Sequence, residues 1–228
     1  MKIDEIILKY VKEKLEMAPH DFNHTIRVFN MAKEIAVNTT QEIDMQVLEY
    51  ACYLHDIARV DEDKDITGKI DHAELGAECA KSFLMTIGLK AEKIDKIVEC
   101  IKSHRYRKKY EPSSIEAKIL FDADKLDSIG AVGVARAFMW AGAHNGPIYY
   151  KPESYVQYCQ DNMNNSYSGI IVDPSKHSVQ IEFELKLKRI PEIMHTDYAK
   201  KMATERVEFF QNYLEILEYE ICANGKHW

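Results

Sequence analysis

The sequence predicts an all-α protein. Apolar residues recur at intervals of three and four along most of the chain, which is the spacing of amphipathic helices. Strand-like alternation is scarce: the run from Val179 to Leu185 alternates, but it also fits a helix and has no second strand to pair with. With 46% apolar and 29% charged residues in 228, the composition is that of a globular protein with a substantial core, which excludes collagen-like and broadly disordered chains.

Each helix is predicted from its own apolar spacing and from the residues that begin or end it. Pro19 is placed to end the first helix and Gly88 to end the fourth. Ser113-Ser-Ile-Glu116 has the form of a capping box that opens the sixth helix, which carries an aspartate-rich run at 122–127. The other helices are marked by apolar residues within 3–15, 28–35, 43–58, 73–87, 94–101 and 199–221.

We expect a single domain over residues 1–228. Its core spans about residues 18–140, and the C-terminal helices of 179–222 are expected to pack on that core. Residues 142–178 differ in composition because they are rich in Gly, Asn, Ser, Tyr and Pro. A loop of this length is usually functional or disordered, so the segment could be a lid over a site or a solvated linker.

Charge and cysteine content restrict the partners and the compartment. The net charge of −7 lacks the basic footprint of a nucleic-acid-binding protein, so we expect no nucleic acid. The most apolar stretch, residues 129–143, is interrupted by Arg136 and is too short to cross a bilayer, so no membrane is expected. The five cysteines form no C-x-x-C pair and read as reduced, which favours a cytoplasmic protein. A homodimer is compatible with the sequence, which does not determine the assembly.

Several histidines and aspartates interrupt apolar helices and therefore suggest a metal site. Burying such groups without partners costs several kcal/mol each, and a shared cation removes that cost because imidazole and carboxylate bind divalent metals. Taken singly, each histidine could also be a surface or hydrogen-bonded core residue. Their convergence requires the helices to bundle around the site. The residues concerned are His24, His55, Asp56, His72, His104, Asp122 and Asp124.

The order His24, His55-Asp56 and Asp124 resembles the H…HD…D signature of the HD-domain metal-dependent phosphohydrolases, and in particular their YedJ/YpgQ-like bacterial subgroup. The resemblance covers about residues 18–222 and implies an HD-domain helical bundle with a metal site between the core helices. The motifs that carry it are His20-Asp-Phe-Asn-His24-Thr-Ile-Arg27-Val, Leu54-His-Asp-Ile, Asp71-His-Ala, Ser103-His, Ala117-Lys-Ile-Leu-Phe-Asp-Ala-Asp-Lys-Leu-Asp127-Ser-Ile-Gly, Ile148-Tyr-Tyr-Lys-Pro and Ala203-Thr-Glu-Arg206.

The resemblance implies that His24, His55, Asp56 and Asp124 bind one divalent ion, which could be Mn, Co, Ni, Fe or Mg. Asp124 is favoured over Asp122 because the family's ligand is the aspartate of an Ala-Asp-basic-Leu motif. Helix geometry agrees, since positions two apart face away from each other. Asp122 would then be a solvated charge on the helix face.

Further pocket residues are implied with less definite roles. Lys125 is the leading phosphate contact, followed by Arg27 and Arg105, although each could instead pair with local carboxylates. His72 and His104 match pocket-lining positions and could bind phosphate, shuttle a proton or hold a second metal. Asp127 lies on the Asp124 face and could hold a ligand or a water.

A second HD dipeptide lies at His20-Asp21, after Pro19. It reads as a loop or a helix start, with Asp21 as a candidate N-cap. His20 could still face the pocket and contact either a ligand or the phosphate.

The resemblance implies hydrolysis of a phosphoester or phosphoanhydride bond in a small phosphate-bearing substrate, most often a nucleotide. A nucleoside triphosphate pyrophosphohydrolase is the leading specific prediction, and a nucleoside monophosphate phosphatase or a phosphodiesterase is the alternative. A di-iron oxygenase is a third class, and it would need both His72 and His104 as ligands. A non-catalytic nucleotide sensor is disfavoured because every signature ligand is present.

Overall fold

A computed structural model describes residues 3–15, 22–105, 110–165 and 171–222. Within these ranges the chain forms helices and turns and contains no strand, which confirms the predicted all-α class. Short 3-10 turns occupy Pro174–Lys176 and Leu187–Arg189. The α-helices are α1 (Ile3–Leu15), α2 (Phe22–Val37), α3 (Met45–Leu54), α4 (Arg59–Lys64), α5 (His72–Thr86), α6 (Ala91–Ser103), α7 (Ile115–Leu126), α8 (Gly130–Ala143), α9 (Tyr155–Asn162), α10 (Val179–Leu185), α11 (Ile190–Ile193) and α12 (Asp197–Cys222).

The chain divides into two compact units, Met1–Asp124 and Lys125–Trp228. The division falls inside α7, in its last turn. The expected grouping into one domain, with a core, a lid and C-terminal helices, therefore stays a prediction. No helix of the described residues has both the length and the apolar character needed to cross a membrane.

In the first unit, α3 packs against α2 and α6, and α5 packs against α6. Their contact surfaces consist of fully buried aliphatic side chains, each of which contributes about 1.5–3 kcal/mol by leaving water. This packing brings the ends of several helices together, and those ends carry the polar residues of the site. The largest fully buried aliphatic side chains of these four helices are Ile35, Leu48, Leu54, Leu84, Ile97 and Ile101.

Carboxylate and hydroxyl caps determine where α3, α5 and α7 begin. Asp44 accepts hydrogen bonds from Gln46 N and Val47 N, each at 3.2 Å, at the start of α3. At α7 the predicted capping box at Ser113–Glu116 is wrong by one residue, because Ser114 Oγ accepts from Ala117 N at 3.1 Å. Glu116 is therefore not part of a cap, and its carboxylate instead accepts from Asp44 N at 2.7 Å.

In the second unit, α12 packs against α8 and α11, and α10 also contacts α8. Phe183 of α10 stacks on Phe210 of α12 with ring centroids 5.1 Å apart. The run from Val179 to Leu185 is thus a helix, as its alternative spacing allowed. Residues 142–178, expected as a loop, contain α9, whose Tyr158 and Cys159 are buried in a small apolar cluster.

A chain of hydrogen bonds links α9 to α10 in this unit. Asn162 Nδ2 donates to the Tyr158 hydroxyl at 2.7 Å, and that hydroxyl lies 2.8 Å from Nδ1 of buried His177. His177 Nε2 lies 3.0 Å from Oε2 of Glu182. The Glu182 carboxylate can only accept, so Nε2–H of His177 donates to it, and in this tautomer Nδ1 accepts from the Tyr158 hydroxyl. Burial would raise the pKa of Glu182, but His177 and Lys186 lower it to about 2.

Gly133 of α8 is predicted to tolerate no side chain. A Cβ there would lie 2.3 Å from the backbone oxygen of Ser128, so Gly133→Ala has to displace backbone and should cost about 1–3 kcal/mol of unfolding free energy. Gly142→Ala in the same helix is the matched control, because an added Cβ meets no atom within 4 Å and alanine favours the helix. Urea unfolding of the two variants checks this, and equal stability would contradict it.

The low pKa of Glu182 predicts a loss of stability in acid. Its pKa falls from 4.5 to about 2 on folding, so the stabilisation is complete above about pH 4.5 and is lost as pH falls toward 2. Glu182→Gln removes this contribution, so the urea concentration at the midpoint of unfolding should fall less between about pH 4.5 and pH 2 than it does in the parent protein. Glu184 lies on the same helix and pairs with Lys188 of the following 3-10 turn, and Glu184→Gln should leave the decrease as in the parent protein. If the midpoint of urea unfolding changed with pH in the same way in all three proteins, Glu182 would not be the source of the loss of stability in acid.

Candidate metal centre

The four predicted metal ligands lie at helix ends in the first unit. His24 is in the first turn of α2, and Asp124 is in the last turn of α7. His55 caps the C-terminus of α3, and Asp56 lies in the turn that leads to α4, where its carbonyl accepts from Arg59 N at 2.9 Å. Side chains at helix ends can converge on one point while the helices diverge from it.

The donor atoms of these four residues form one tight group. His24 Nε2 lies 3.3 Å from His55 Nε2 and 3.3 Å from Asp124 Oδ1. Asp56 Oδ2 is 3.7 Å from Nε2 of His24 and 3.7 Å from Nε2 of His55. The histidines are buried, and the side chains of Asp56 and Asp124 are only 12% and 16% exposed. The fold therefore brings together the residues that the HD signature implies.

A second group lies on the other oxygen of Asp56. Asp56 Oδ1 is 3.2 Å from His72 Nε2 and 3.7 Å from His104 Nε2. These two nitrogens are 3.1 Å apart, and both imidazoles are almost completely buried. Asp56 thus lies between the groups, with Oδ2 toward His24 and His55 and Oδ1 toward His72 and His104.

Hydrogen bonds at Nδ1 determine which nitrogen of each histidine faces the centre. His55 Nδ1 lies 2.7 Å from the Cys52 carbonyl, and His104 Nδ1 lies 2.6 Å from the Ile101 carbonyl. A carbonyl only accepts, so each Nδ1 carries the proton and each Nε2 presents a lone pair. His72 Nδ1 has the same role toward Glu62, at 2.7 Å from its Oε2. The Nε2 atoms of His72 and His104 are close enough that either a ring proton or a metal ion must lie between them.

Electrostatics keep the central carboxylate ionised. Burial would raise the pKa of Asp56, but the surrounding His55, His104 and His72 hold it well below its usual range. Burial lowers the pKa of His55 to about 4, which favours the neutral imidazole that a metal requires. Burial lowers the pKa of His72, the neighbouring carboxylates of Asp56 and Glu62 raise it, and the net shift is upward.

The donor set fits a divalent cation. Nitrogen ligands about 2.1 Å from an ion and at right angles to each other lie about 3.0 Å apart, close to the separations found here. The carboxylates of Asp56 and Asp124 are groups whose negative charge a dication would balance in a largely buried site. Imidazole and carboxylate ligands together suit Mn, Fe, Co, Ni or Zn better than the all-oxygen sites preferred by Mg.

Charged residues around His72 form an outer network that the sequence did not predict. Glu62 of α4 accepts from Arg105 Nη1 at 2.6 Å, in addition to its contact with His72. Arg59 Nη1 lies 3.2 Å from Glu62 Oε2, and Arg105 Nη1 lies 3.1 Å from Asp71 Oδ2. Burial would raise the pKa of Glu62, but His72 and Arg105 lower it to about 2. The role of Glu62 could not be predicted from residue spacing, because its partners His72 and Arg105 lie 10 and 43 residues away in the chain.

The other predicted pocket residues have varied surroundings. Arg27 is half-buried on α2, one turn after His24. Arg105, a proposed phosphate contact, pairs with Glu62 and Asp71, as the alternative for the basic residues allowed. Lys125 begins the second unit, so its role toward the phosphate stays a prediction. His20 and Asp21 lie outside the described residues.

Two aspartates of the 122–127 run differ from their predicted environments. Asp122 is fully buried, so its interpretation as a solvated helix-face charge is wrong. It is absent from both donor groups, which agrees with the choice of Asp124 as ligand. The Asp127 carboxylate accepts a hydrogen bond from Arg136 Nη1 at 2.5 Å within the second unit, and its support of a ligand or water stays a prediction.

Comparisons with known proteins agree with this arrangement. The HD domain family matches residues 21–129, a range that contains both donor groups. The YpgQ protein of Bacillus subtilis (strain 168) is 30% identical over 211 residues, which are 90% of this chain and 86% of YpgQ.

Solved structures give the same result. A predicted HD superfamily hydrolase from an uncultured Thermotogales bacterium has a TM-score of 0.62 at 30% identity, covering 95% of this chain and 91% of that one. YpgQ of Bacillus subtilis in complex with ADP has a TM-score of 0.68 at 29% identity, with 95% and 94% covered. The helical fold, the family match and the extended identity with YpgQ lead to one conclusion: the chain belongs to the HD-domain superfamily.

Proposed function

We propose that this protein is a metal-dependent phosphohydrolase acting on a nucleotide, with pyrophosphate release from a nucleoside triphosphate as its reaction. The observation that carries the proposal is the convergence of His24, His55, Asp56 and Asp124, whose facing donor atoms lie 3.3–3.9 Å apart. A divalent ion in such a site lowers the pKa of water and polarises a phosphoryl oxygen. The ADP bound to the related YpgQ structure supports a nucleotide as the substrate.

The residues of the chain hold and orient the reactants. Neutral His55, fixed through its Nδ1 bond to Cys52, directs its Nε2 into the site without rotating. Ionised Asp56 presents one oxygen to each donor group, so it would hold a metal ion rather than act as a base. Lys125 and Arg27 are proposed to neutralise phosphate oxygens, because phosphoryl transfer needs positive charge around them.

The second donor group supports a second ion in the same centre. His72, His104 and Asp56 offer donor atoms within 4.8 Å of one another, and the group shares Asp56 with the first. Of the three roles predicted for His72 and His104, metal binding is best supported by their facing Nε2 atoms, 3.1 Å apart. The same geometry keeps the di-iron oxygenase as the second candidate function, since that class requires both histidines as ligands.

A nucleotide panel tests the proposed reaction. Purified protein supplied with Mn²⁺ or Co²⁺ should release pyrophosphate from nucleoside triphosphates, and pyrophosphate and phosphate should be measured separately. Phosphate from monophosphates would instead identify a monophosphatase, and bound iron with oxygen consumption would identify the redox class. Asp124→Asn should lower turnover by at least the roughly 10–100-fold typical of residues that only support a ligand.

Metal binding provides an independent prediction. Asp56→Asn should reduce the metal content more than Asp124→Asn or His72→Ala, because among the described residues only Asp56 has oxygens in contact with both donor groups. Metal analysis after dialysis against a defined Mn²⁺ concentration measures this. Asp95→Asn, on α6, where Asp95 pairs with Lys81, is the control and should bind metal as the parent protein does. Unchanged metal content in Asp56→Asn would rule out the proposed centre.

A further inference from the structure

Glu62 lies at the junction of the elements that carry the second donor group. Its Oε2 accepts from Nδ1 of His72, the first residue of α5, and its Oε1 accepts from Arg105, which directly follows His104. Arg105 also pairs with Asp71 Oδ2, while Asp71 Oδ1 accepts from Ala73 N at 2.9 Å and caps α5. One carboxylate thus connects the start of α5 with the residue after His104.

Two neighbours compete for Nδ1 of His72. Glu62 Oε2, at 2.7 Å, can only accept and therefore needs the proton on Nδ1. Arg59 Nη1, at 3.1 Å, can only donate and would need Nδ1 to be bare. The two choices have opposite consequences at Nε2, because the first leaves a lone pair there and the second places a proton there.

The present geometry favours the first choice. Arg59 Nη1 lies 3.2 Å from Glu62 Oε2, so its charge is directed to the carboxylate as well as to the ring. In His104, by contrast, Nδ1 is held at 2.6 Å by the Ile101 carbonyl, which belongs to the preceding helix α6. The orientation and tautomer of His72 therefore depend on Glu62, whereas those of His104 are determined by a backbone carbonyl.

We propose that Glu62 is a positioning residue that keeps His72 in the Nδ1–H tautomer against Arg59 and so makes the His72–His104–Asp56 group able to bind a metal ion. The inference rests on the proposed function, because it concerns the second ion of that centre. Glu62 contacts the ring of His72 on the side away from His104, so it acts on the donor group through His72.

Glu62→Gln is the informative substitution. Glutamine keeps the shape of the side chain but offers one acceptor and one amide donor, so it cannot accept from both His72 and Arg105. With the negative charge removed, Arg59 is free to donate to Nδ1 and to move the ring proton to Nε2. The affinity of the second Mn²⁺ should fall by about 10–100-fold, as for other residues that support a ligand, while the first is retained.

Calorimetric titration of chelator-treated protein with Mn²⁺, together with electron paramagnetic resonance, measures the effect. In the parent protein, ions that share Asp56 should couple magnetically, and Glu62→Gln should show the spectrum of an isolated Mn²⁺ ion. Asp63→Asn is the matched control, because Asp63 is on the same helix and pairs with Arg59 Nε at 3.5 Å. It should behave as the parent protein does.

The double variant Glu62→Gln/Arg59→Met tests the competition itself. Methionine has no hydrogen-bond donor, so the amide oxygen introduced at position 62 can again accept from Nδ1–H of His72. Most of the second-ion affinity should therefore return. If Glu62→Gln acted only by loosening the packing, the second substitution would not restore binding. Unfolding temperatures close to that of the parent protein in both variants would exclude a folding defect as the cause.

Other outcomes separate this inference from the proposed function. Undiminished second-ion binding in Glu62→Gln, or no rescue in the double variant, would overturn the role of Glu62 and leave the phosphohydrolase proposal intact. A parent protein that binds only one ion would also overturn it. A parent protein that binds no metal ion and hydrolyses no nucleotide would overturn the proposed function instead.

Discussion

The centre of this protein depends on one carboxylate that faces two sets of imidazole nitrogens. The side chain of Asp56 is only 12% exposed, and each of its oxygens lies within 3.7 Å of histidine Nε2 atoms from different helices. Partly buried carboxylate oxygens and imidazole nitrogens this close together need shared protons or a shared cation between them. The helix ends around Asp56 thus form a site that a divalent cation can complete. This constraint links the stability of the site directly to its chemistry.

Hydrogen bonds near the ends of helices fix the orientation of two histidine rings in the site. The backbone carbonyls of Cys52 and Ile101, near the ends of α3 and α6, fix the rings of His55 and His104 through Nδ1. His72 is different, because it begins a helix and has no preceding carbonyl of its own helix to hold it. Its ring is held by Glu62, and this is where charged residues outside the donor groups contribute to the site.

Much of the fold followed from periodicity. The helical class, the long α12 and the residues of the H…HD…D signature were predictable, since helical spacing is local and the signature is a fixed order of residues. Local rules failed where neighbours competed. Ser114 caps α7 instead of Ser113, which bonds Glu99, and Glu116 accepts from the amide of Asp44, 72 residues away. Asp122 was read as solvated, yet it is fully buried.

The sequence by itself determined the helical class, the H…HD…D signature of the HD-domain family and the residue types that can bind a divalent ion. These depend on the chemistry of each side chain and on short-range spacing. Only the tertiary structure decided that Asp56 divides its oxygens between two donor groups and that Glu62 contacts His72. The reason is that such relations depend on where separate helices end in space. That is determined by the packing of their apolar faces, which no pattern along the chain encodes directly.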